Sequence, residues 1–220
     1  MGSRTCVGGV ACPPDVSYAP RVYAEAIAKG VWTPAEYLAW ERLQPERHEF
    51  FDGEIFAMSG ASFDHNRIVL NLGGELRSAL RHRRCDVTPS DLRVKVPATG
   101  LYTYPDLTVV CGEPLFEDGT RDTLLNPIVL VEVLSDSTER YDRGKKFRNY
   151  RSITTLREYV LVAQDAVSVE RYTRGDDGVW SLHESGAGEK LVLTSVGCEI
   201  AVDEIYLKVF PPSEPSEAKA

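Results

Sequence analysis

Two short apolar runs in this chain each carry an acid: Asp106 in Tyr104-Pro105-Asp106-Leu107-Thr108-Val109-Val110, and Glu132 in Ile128-Val129-Leu130-Val131-Glu132-Val133-Leu134. Runs of branched aliphatics of this length, bounded by turn residues, fit central strands of a sheet covered on both faces. Such a strand does not tolerate an isolated ionised carboxylate, because burial without a partner costs several kcal/mol or more. Each acid must be protonated, paired with a base, or bound to a metal. Asp106 lies at the start of the first run and Glu132 near the end of the second. Antiparallel pairing would bring them to one sheet edge, where both can approach one ion.

The remaining pattern predicts how these strands are covered. Thr33-Pro34-Ala35-Glu36 has the cap, the first-turn proline and the glutamate of a capping box, so a helix begins there and runs to about Leu43. Asp52-Gly53 supplies the positive φ angles of a tight turn between strands His48 to Phe51 and Glu54 to Met58. Ile68, Leu72, Leu76 and Leu80 recur at spacing four and predict an amphipathic helix from Asp64 to about Arg83. Gly73-Gly74 inside it implies close approach of a neighbour, since glycine costs about 1 kcal/mol relative to alanine in a helix. A half-buried strand over Leu92 to Val96, a helix from Asp142 to about Arg151 and a strand over Glu158 to Val162 follow. Ala166 to Thr173, Val179 to Glu184 and Lys190 to Thr194 read as hairpin-like strands, and Val202 to Leu207 as a short helix. The fold class is therefore α/β, a mixed central sheet flanked by helices with additional antiparallel hairpins. One domain over 21–210 is expected, between flexible segments 1–20 and 211–220 that lack apolar periodicity.

Bulk chemistry excludes several functions. A chain of 220 residues, 43% apolar and 26% charged, has no stretch long and apolar enough to span a bilayer and no basic-then-apolar leader, so a cytoplasmic protein is expected. Five scattered cysteines without a C-x-x-C pair indicate neither a disulfide framework nor a zinc knuckle, and are expected to be reduced. A net charge of −8 argues against a broad basic surface for nucleic acid, but leaves room for a local one. Arg77, Arg81, Arg83 and Arg84 form one basic group, and Arg140, Arg143, Lys145, Lys146, Arg148 and Arg151 another. Both are either solvated helix faces or part of a cleft.

Oxygen ligands select a hard cation, Mg2+ or Mn2+, which retains waters and binds through one or two carboxylates plus substrate phosphate. Phosphodiester hydrolysis also needs positive charge near the developing negative charge on phosphorus, and Lys146 can supply it. Asp142, Lys146 and Tyr150 follow at spacing four and share one face of their helix.

Several segments together resemble the Uma2 family, within the PD-(D/E)XK nuclease superfamily. They are Tyr104-Pro105-Asp106, Val131-Glu132-Val133-Leu134-Ser135, Thr138-Glu139-Arg140-Tyr141-Asp142-Arg143-Gly144-Lys145-Lys146-Phe147 and Glu158-Tyr159. Glu49-Phe50-Phe51-Asp52-Gly53-Glu54, Ser59-Gly60, Asp64-His65-Asn66-Arg67-Ile68 and Glu204-Ile205-Tyr206 extend the likeness over roughly residues 33 to 208. The resemblance implies a restriction-endonuclease-like core, a divalent metal, phosphodiester hydrolysis of DNA and a homodimer. Asp106 and Glu132 take the positions of the two acids that bind metal. The superfamily usually places lysine two residues after the second acid, where this chain has Leu134; Lys146 is then a lysine that reaches in from the helix.

Two further site residues are expected. Glu54, directly after the turn, either adds a carboxylate to the metal shell or is a solvated hairpin residue, with Glu49 its weaker competitor. His65 either contacts phosphate and moves a proton, or only makes a hydrogen bond at the helix start. Plainer accounts exist for the principal pair: Asp106 as a turn residue at a strand start, and Glu132 as a buried acid paired with Arg93, Lys95 or Lys146. The competing functional class is a non-catalytic scaffold that binds nucleic acid or protein with the same fold. Hydrolysis of a small phosphodiester is a second enzymatic alternative.

Overall fold

The computed structural model describes residues 26–28, 31–58 and 60–210. The two terminal segments expected to be flexible, and Ser59, lie outside the described residues.

Local chemistry sets the first elements. Helix α1 (Pro34–Glu41) opens with the expected box: the Thr33 side chain accepts from the Glu36 N–H, and Glu36 Oε2 accepts from the Thr33 N–H at 2.8 Å. Strands β2 (His48–Phe51) and β3 (Glu54–Ala57) pair antiparallel around Asp52 and Gly53, whose φ angles of 51° and 80° are those a tight hairpin turn requires. Strand β1 (Ala26–Ala28) pairs with β3. Strands β5 (Arg93–Val96), β6 (Leu101–Thr103) and β8 (Thr123–Leu124) complete a six-stranded sheet in the order β1-β3-β2-β6-β5-β8.

The second sheet holds the two acid-bearing strands. Its order is β12-β11-β10-β9-β7-β4, formed by β4 (Cys85–Pro89), β7 (Leu107–Cys111), β9 (Val129–Val133), β10 (Glu158–Val162), β11 (Val169–Arg174) and β12 (Trp180–Ser185). β9 and β10 run parallel and the other neighbours are antiparallel, so the sheet is mixed. Every residue of β9 and β10 is buried, as strands covered on both faces must be.

Two helices supply that cover. Helix α2 (Phe63–Leu80) lays Ile68, Leu72, Leu76 and Leu80 on one face of the sheet, against Leu107, Val109, Val129, Val131 and Val160. A Cβ on Gly73 would stand 3.2 Å from Leu107 Cδ2, so this glycine permits the close approach, whereas a Cβ on Gly74 would meet nothing within 4 Å. The opposite face, with Leu130, Leu134, Tyr159 and Leu161, is covered by Tyr150 and Phe147 of a helix over residues 139–150. This helix starts earlier than the sequence suggests. Its middle, Asp142–Lys146, is a π turn between the α-helical ends Glu139–Tyr141 and Phe147–Tyr150. A hairpin of β13 (Lys190–Leu193) and β14 (Cys198–Ala201), followed by the short helix Val202–Ile205, packs beside α2.

One expectation is overturned. Cys85 and Cys111 form a disulfide, because β4 and β7 pair with these two residues directly opposite each other. A separation of 26 residues hides a juxtaposition that only strand register creates. Cys198 is free and buried; Cys6 and Cys12 lie outside the described residues. No described helix is long and apolar enough to cross a membrane.

Candidate active site

The register of β7 on β9 sets the site. Leu107 is opposite Val131 and Val109 opposite Val129, so one step further along the same register places Asp106 across from Glu132. Residues opposite one another in an antiparallel pair project from the same face. Glu132 projects to the face covered by the 139–150 helix, while Asp106, just before β7, meets the first turn of α2 at the end of the sheet. Asp106 Oδ2 accepts the Val133 N–H at 2.7 Å, tying the acid to the end of β9.

Lys146 reaches this face from the π turn. Its Nζ lies 3.1 Å from Glu132 Oε1, 3.2 Å from Asp142 Oδ1 and 3.4 Å from Glu49 Oε1. All four groups are buried: Glu132 is 4% exposed, Asp142 1%, Lys146 5% and Glu49 8%. Hydroxyl groups complete the shell. Tyr150 donates to Glu132 Oε1 at 2.7 Å, Tyr141 donates to Glu49 Oε2 at 3.0 Å, and Thr103 donates to Glu49 Oε1. The contact between Lys146 and Asp142 Oδ1 is close enough for an ion pair but lacks hydrogen-bond geometry, which leaves that buried oxygen without a hydrogen-bond partner.

Three acids around one ammonium make an unbalanced cluster. Burial, then repulsion from Asp142 and Asp106, holds the Glu132 carboxyl well above the usual carboxylate range even though Lys146 pulls it down. Burial also raises Asp142. Burial opposes the charge on Lys146, but Asp142, Glu132 and Glu49 outweigh it and keep the ammonium protonated far into the alkaline range. The cluster is short of positive charge.

The expected residues are therefore partly brought together. Glu132 and Lys146 meet on one sheet face, Asp106 stands across from Glu132 in strand register, and His65, in the first turn of α2, puts Nε2 3.0 Å from Asp106 Oδ1. The His65 N–H is also capped by Ser62 Oγ at 3.0 Å, so the helix-start hydrogen bond and the contact with the acid coexist. Glu54 is not brought in: it is exposed on β3, and Glu49, its competitor, takes the place beside Lys146. Of the bases expected for Glu132, Lys146 is the partner; Arg93 pairs with Asp122 at 3.0 Å and Lys95 with Glu117 at 2.5 Å. Tyr141 joins the site without having been a candidate; in the sequence only its place beside Asp142 points to it. The basic groups divide: Lys146 turns inward, Arg143 pairs with Glu139 and Glu170, and Arg77, Arg81, Arg84, Arg148 and Arg151 are not buried.

Donor chemistry tests whether these side chains suit a divalent ion. Among the described residues no three His, Cys, Asp or Glu side chains converge as a ligand set. An ion such as Mg2+ needs no more than one or two protein carboxylates, since waters and substrate oxygens complete its shell. Oxygen donors opposite each other in strand register, a buried Asp142 oxygen with an ion pair but no hydrogen bond, and three acids around one ammonium all suit such an ion.

The fold and the sequence both have relatives. A solved structure titled as a "putative nuclease belonging to DUF820" from Anabaena variabilis superposes with a TM-score of 0.64 at 15% identity, covering 80% of this chain and 98% of that one. A likeness at that identity concerns the fold, which is the mixed α/β, restriction-endonuclease-like architecture. "Uncharacterized protein slr1290" of Synechocystis sp. (strain ATCC 27184 / PCC 6803 / Kazusa) is 41% identical over 174 residues, 79% of this chain and 90% of its own length. "Uncharacterized protein sll1609" of the same organism is 38% identical over 154 residues, 70% of this chain and 87% of its own. The model of the Uma2 family, described as "Putative restriction endonuclease", matches residues 34–203, and the chain belongs to that family.

Proposed function

We propose that this chain is a divalent-metal-dependent endonuclease that hydrolyses phosphodiester bonds in DNA, with Mg2+ or Mn2+ as its ion. One juxtaposition carries the reading: Asp106 falls across from Glu132 in strand register, and the Lys146 amine stands 3.1 Å from Glu132. Asp106 and Glu132 would hold the ion, which when bound supplies Lewis-acid charge and lowers the pKa of a water. The chain's own groups do the rest. Lys146, kept protonated by its neighbours, presents positive charge where negative charge develops on the phosphoryl oxygens. Glu49, Asp142 and Tyr141 orient it, so that little reorganisation accompanies the reaction. His65, held against Asp106, contacts phosphate or moves a proton at the edge of the site. A homodimer belongs to the same proposal on family grounds, with a cytoplasmic location on the composition of the chain, and sedimentation equilibrium checks the assembly.

The test incubates the protein with plasmid and with single-stranded DNA in Mg2+ or Mn2+, beside Asp106→Ala and Lys146→Ala. Metal-dependent cleavage lost in both variants is the expected result. Cleavage that survives one substitution removes that residue from the mechanism. No cleavage of any DNA or RNA by the wild type transfers the fold to the scaffold class.

A further inference from the structure

Glu41, the last residue of α1, is buried and stands apart from the acid and lysine cluster. Its Oε1 accepts from the His48 backbone N–H at 2.8 Å and from the Tyr104 hydroxyl at 2.7 Å, while Oε2 lies 2.9 Å from His48 Nδ1. The Tyr104 oxygen in turn accepts from Arg93 Nη1 at 2.9 Å. One turn back on α1, Tyr37 donates to the His48 carbonyl at 2.6 Å, so the helix grips both backbone polar groups of one strand residue. An ionised carboxylate can only accept, which suits it to three converging donors and fixes the His48 ring proton on Nδ1.

The two residues held by Glu41 adjoin site acids. His48 immediately precedes Glu49 on β2, and only Pro105 separates Tyr104 from Asp106. Proline fixes its own φ and restricts the residue before it, so the short link from Tyr104 to Asp106 is stiff. Glu49 arrives at Lys146 from one sheet, whereas Asp106 immediately precedes β7 of the other. Glu41 is thus bonded to both chain segments from which these acids project.

We propose that Glu41 is a positioning residue of the active site: through His48 and Tyr104 its carboxylate sets where Glu49 and Asp106 stand relative to Lys146. The inference rests on the nuclease reading above. Glu41→Gln keeps the shape but removes the negative charge that both partners face and turns Oε2 into a donor, so the His48 ring proton must leave Nδ1 for that contact to survive.

The experiment compares E41Q with Y37F, which removes a hydrogen bond between the same helix and the same strand residue but leaves the link to Tyr104. Cleavage of labelled duplex DNA and Mn2+ binding by calorimetry are measured at a temperature where circular dichroism shows both variants folded. E41Q is expected to weaken Mn2+ binding and to lower kcat about tenfold or more with KM little changed, as displaced catalytic groups do. Y37F is expected to match the wild type in both. If E41Q does not fold, Y104F, which deletes the bond between Glu41 and Tyr104, is read in its place. Equal behaviour of E41Q and Y37F overturns the positioning role. A wild type that binds Mn2+ without cleaving removes the nuclease reading alone, because Mn2+ affinity still reads the geometry; one that does neither removes both.

Discussion

Glu132 and Glu158 sit on neighbouring parallel strands of one sheet, both buried, yet their surroundings differ in kind. Glu158, which opens β10 on the α2 side of the sheet, accepts from the Thr194 N–H at 2.9 Å, the Thr194 hydroxyl at 3.3 Å, the Ser195 N–H at 3.2 Å and the Ser195 hydroxyl. Each donor is neutral, and all come from the turn between β13 and β14. This acid staples a turn to the sheet. Glu132, on the opposite face, receives one cation and one phenol and stands among further acids. Burial of a carboxylate is therefore no mark of function in itself. What distinguishes the candidate site is charge that its own shell leaves unbalanced.

The contrast is sharpest when the counter-charge is removed. Lys146→Met leaves Glu49, Glu132 and Asp142 facing one another and is expected to cost about 3–5 kcal/mol in urea unfolding, as loss of one partner from a buried ion pair does. Added Mn2+ should restore part of that stability while cleavage stays absent. Retention of wild-type stability would mean that the acids are protonated and that the cluster carries no surplus charge.

Exchanging each glutamate for its amide tests the division of roles. Glu132→Gln is expected to lower cleavage by about 100-fold or more, the scale on which electrostatic catalytic groups act. Its stability should stay within about 1 kcal/mol of the wild type, because Lys146 keeps two acids and one repulsive charge is gone. Glu158→Gln should do the reverse, costing about 1–3 kcal/mol by leaving polar partners unmatched, with cleavage by the folded fraction unchanged. Loss of cleavage in both amides at equal folded fraction would erase the distinction.

The smallest effect concerns acids paired by ordinary surface chemistry. The Arg42 guanidinium, 2.8 Å away, lowers Asp122 from 3.8 to about 2, against the opposing effect of burial. A carboxyl whose folded pKa is depressed contributes stability above its unfolded pKa and loses it as pH falls through the folded one. Acid titration should thus show a stability loss between about pH 4 and pH 2 that is missing in Asp122→Asn, read by circular dichroism at each pH.

What the sequence discloses follows the range of the interaction responsible. The Thr33 to Glu36 box, the Asp52-Gly53 turn and the Leu72, Leu76, Leu80 stripe arise from residues a few positions apart, and each forms as expected. The two acids were legible because an ionisable group in a branched aliphatic run conflicts with its surroundings wherever the strand goes. No such conflict separates Glu49 from Glu54, and the expected order, Glu54 ahead of Glu49, is reversed. Both flank one tight turn, and the choice between them depends on Thr103 after β6 pairs with β2, and on Tyr141, 92 residues away. The Cys85 to Cys111 bond is likewise a product of register between β4 and β7. The short strands β4, β6, β8 and β14 went unread because runs of two to five residues with mixed polarity have little period to detect.

The π turn over Asp142–Lys146 can be understood as a phase slip. Lys146 and Phe147 are consecutive, and in a regular helix consecutive residues diverge by about 100°. Lys146 accordingly belongs to the acid cluster, while Phe147 stacks on Tyr159 at 5.4 Å and meets Trp180 edge-on. The Phe147 N–H reaches back five residues to the Asp142 carbonyl, giving that turn more chain than an α-helix allows. Excising Gly144 would remove that extra residue and let a regular α-helix bring Lys146 and Phe147 to the same seats, whereas regular α hydrogen bonds at full length would turn both by about 100° relative to Glu139–Tyr141.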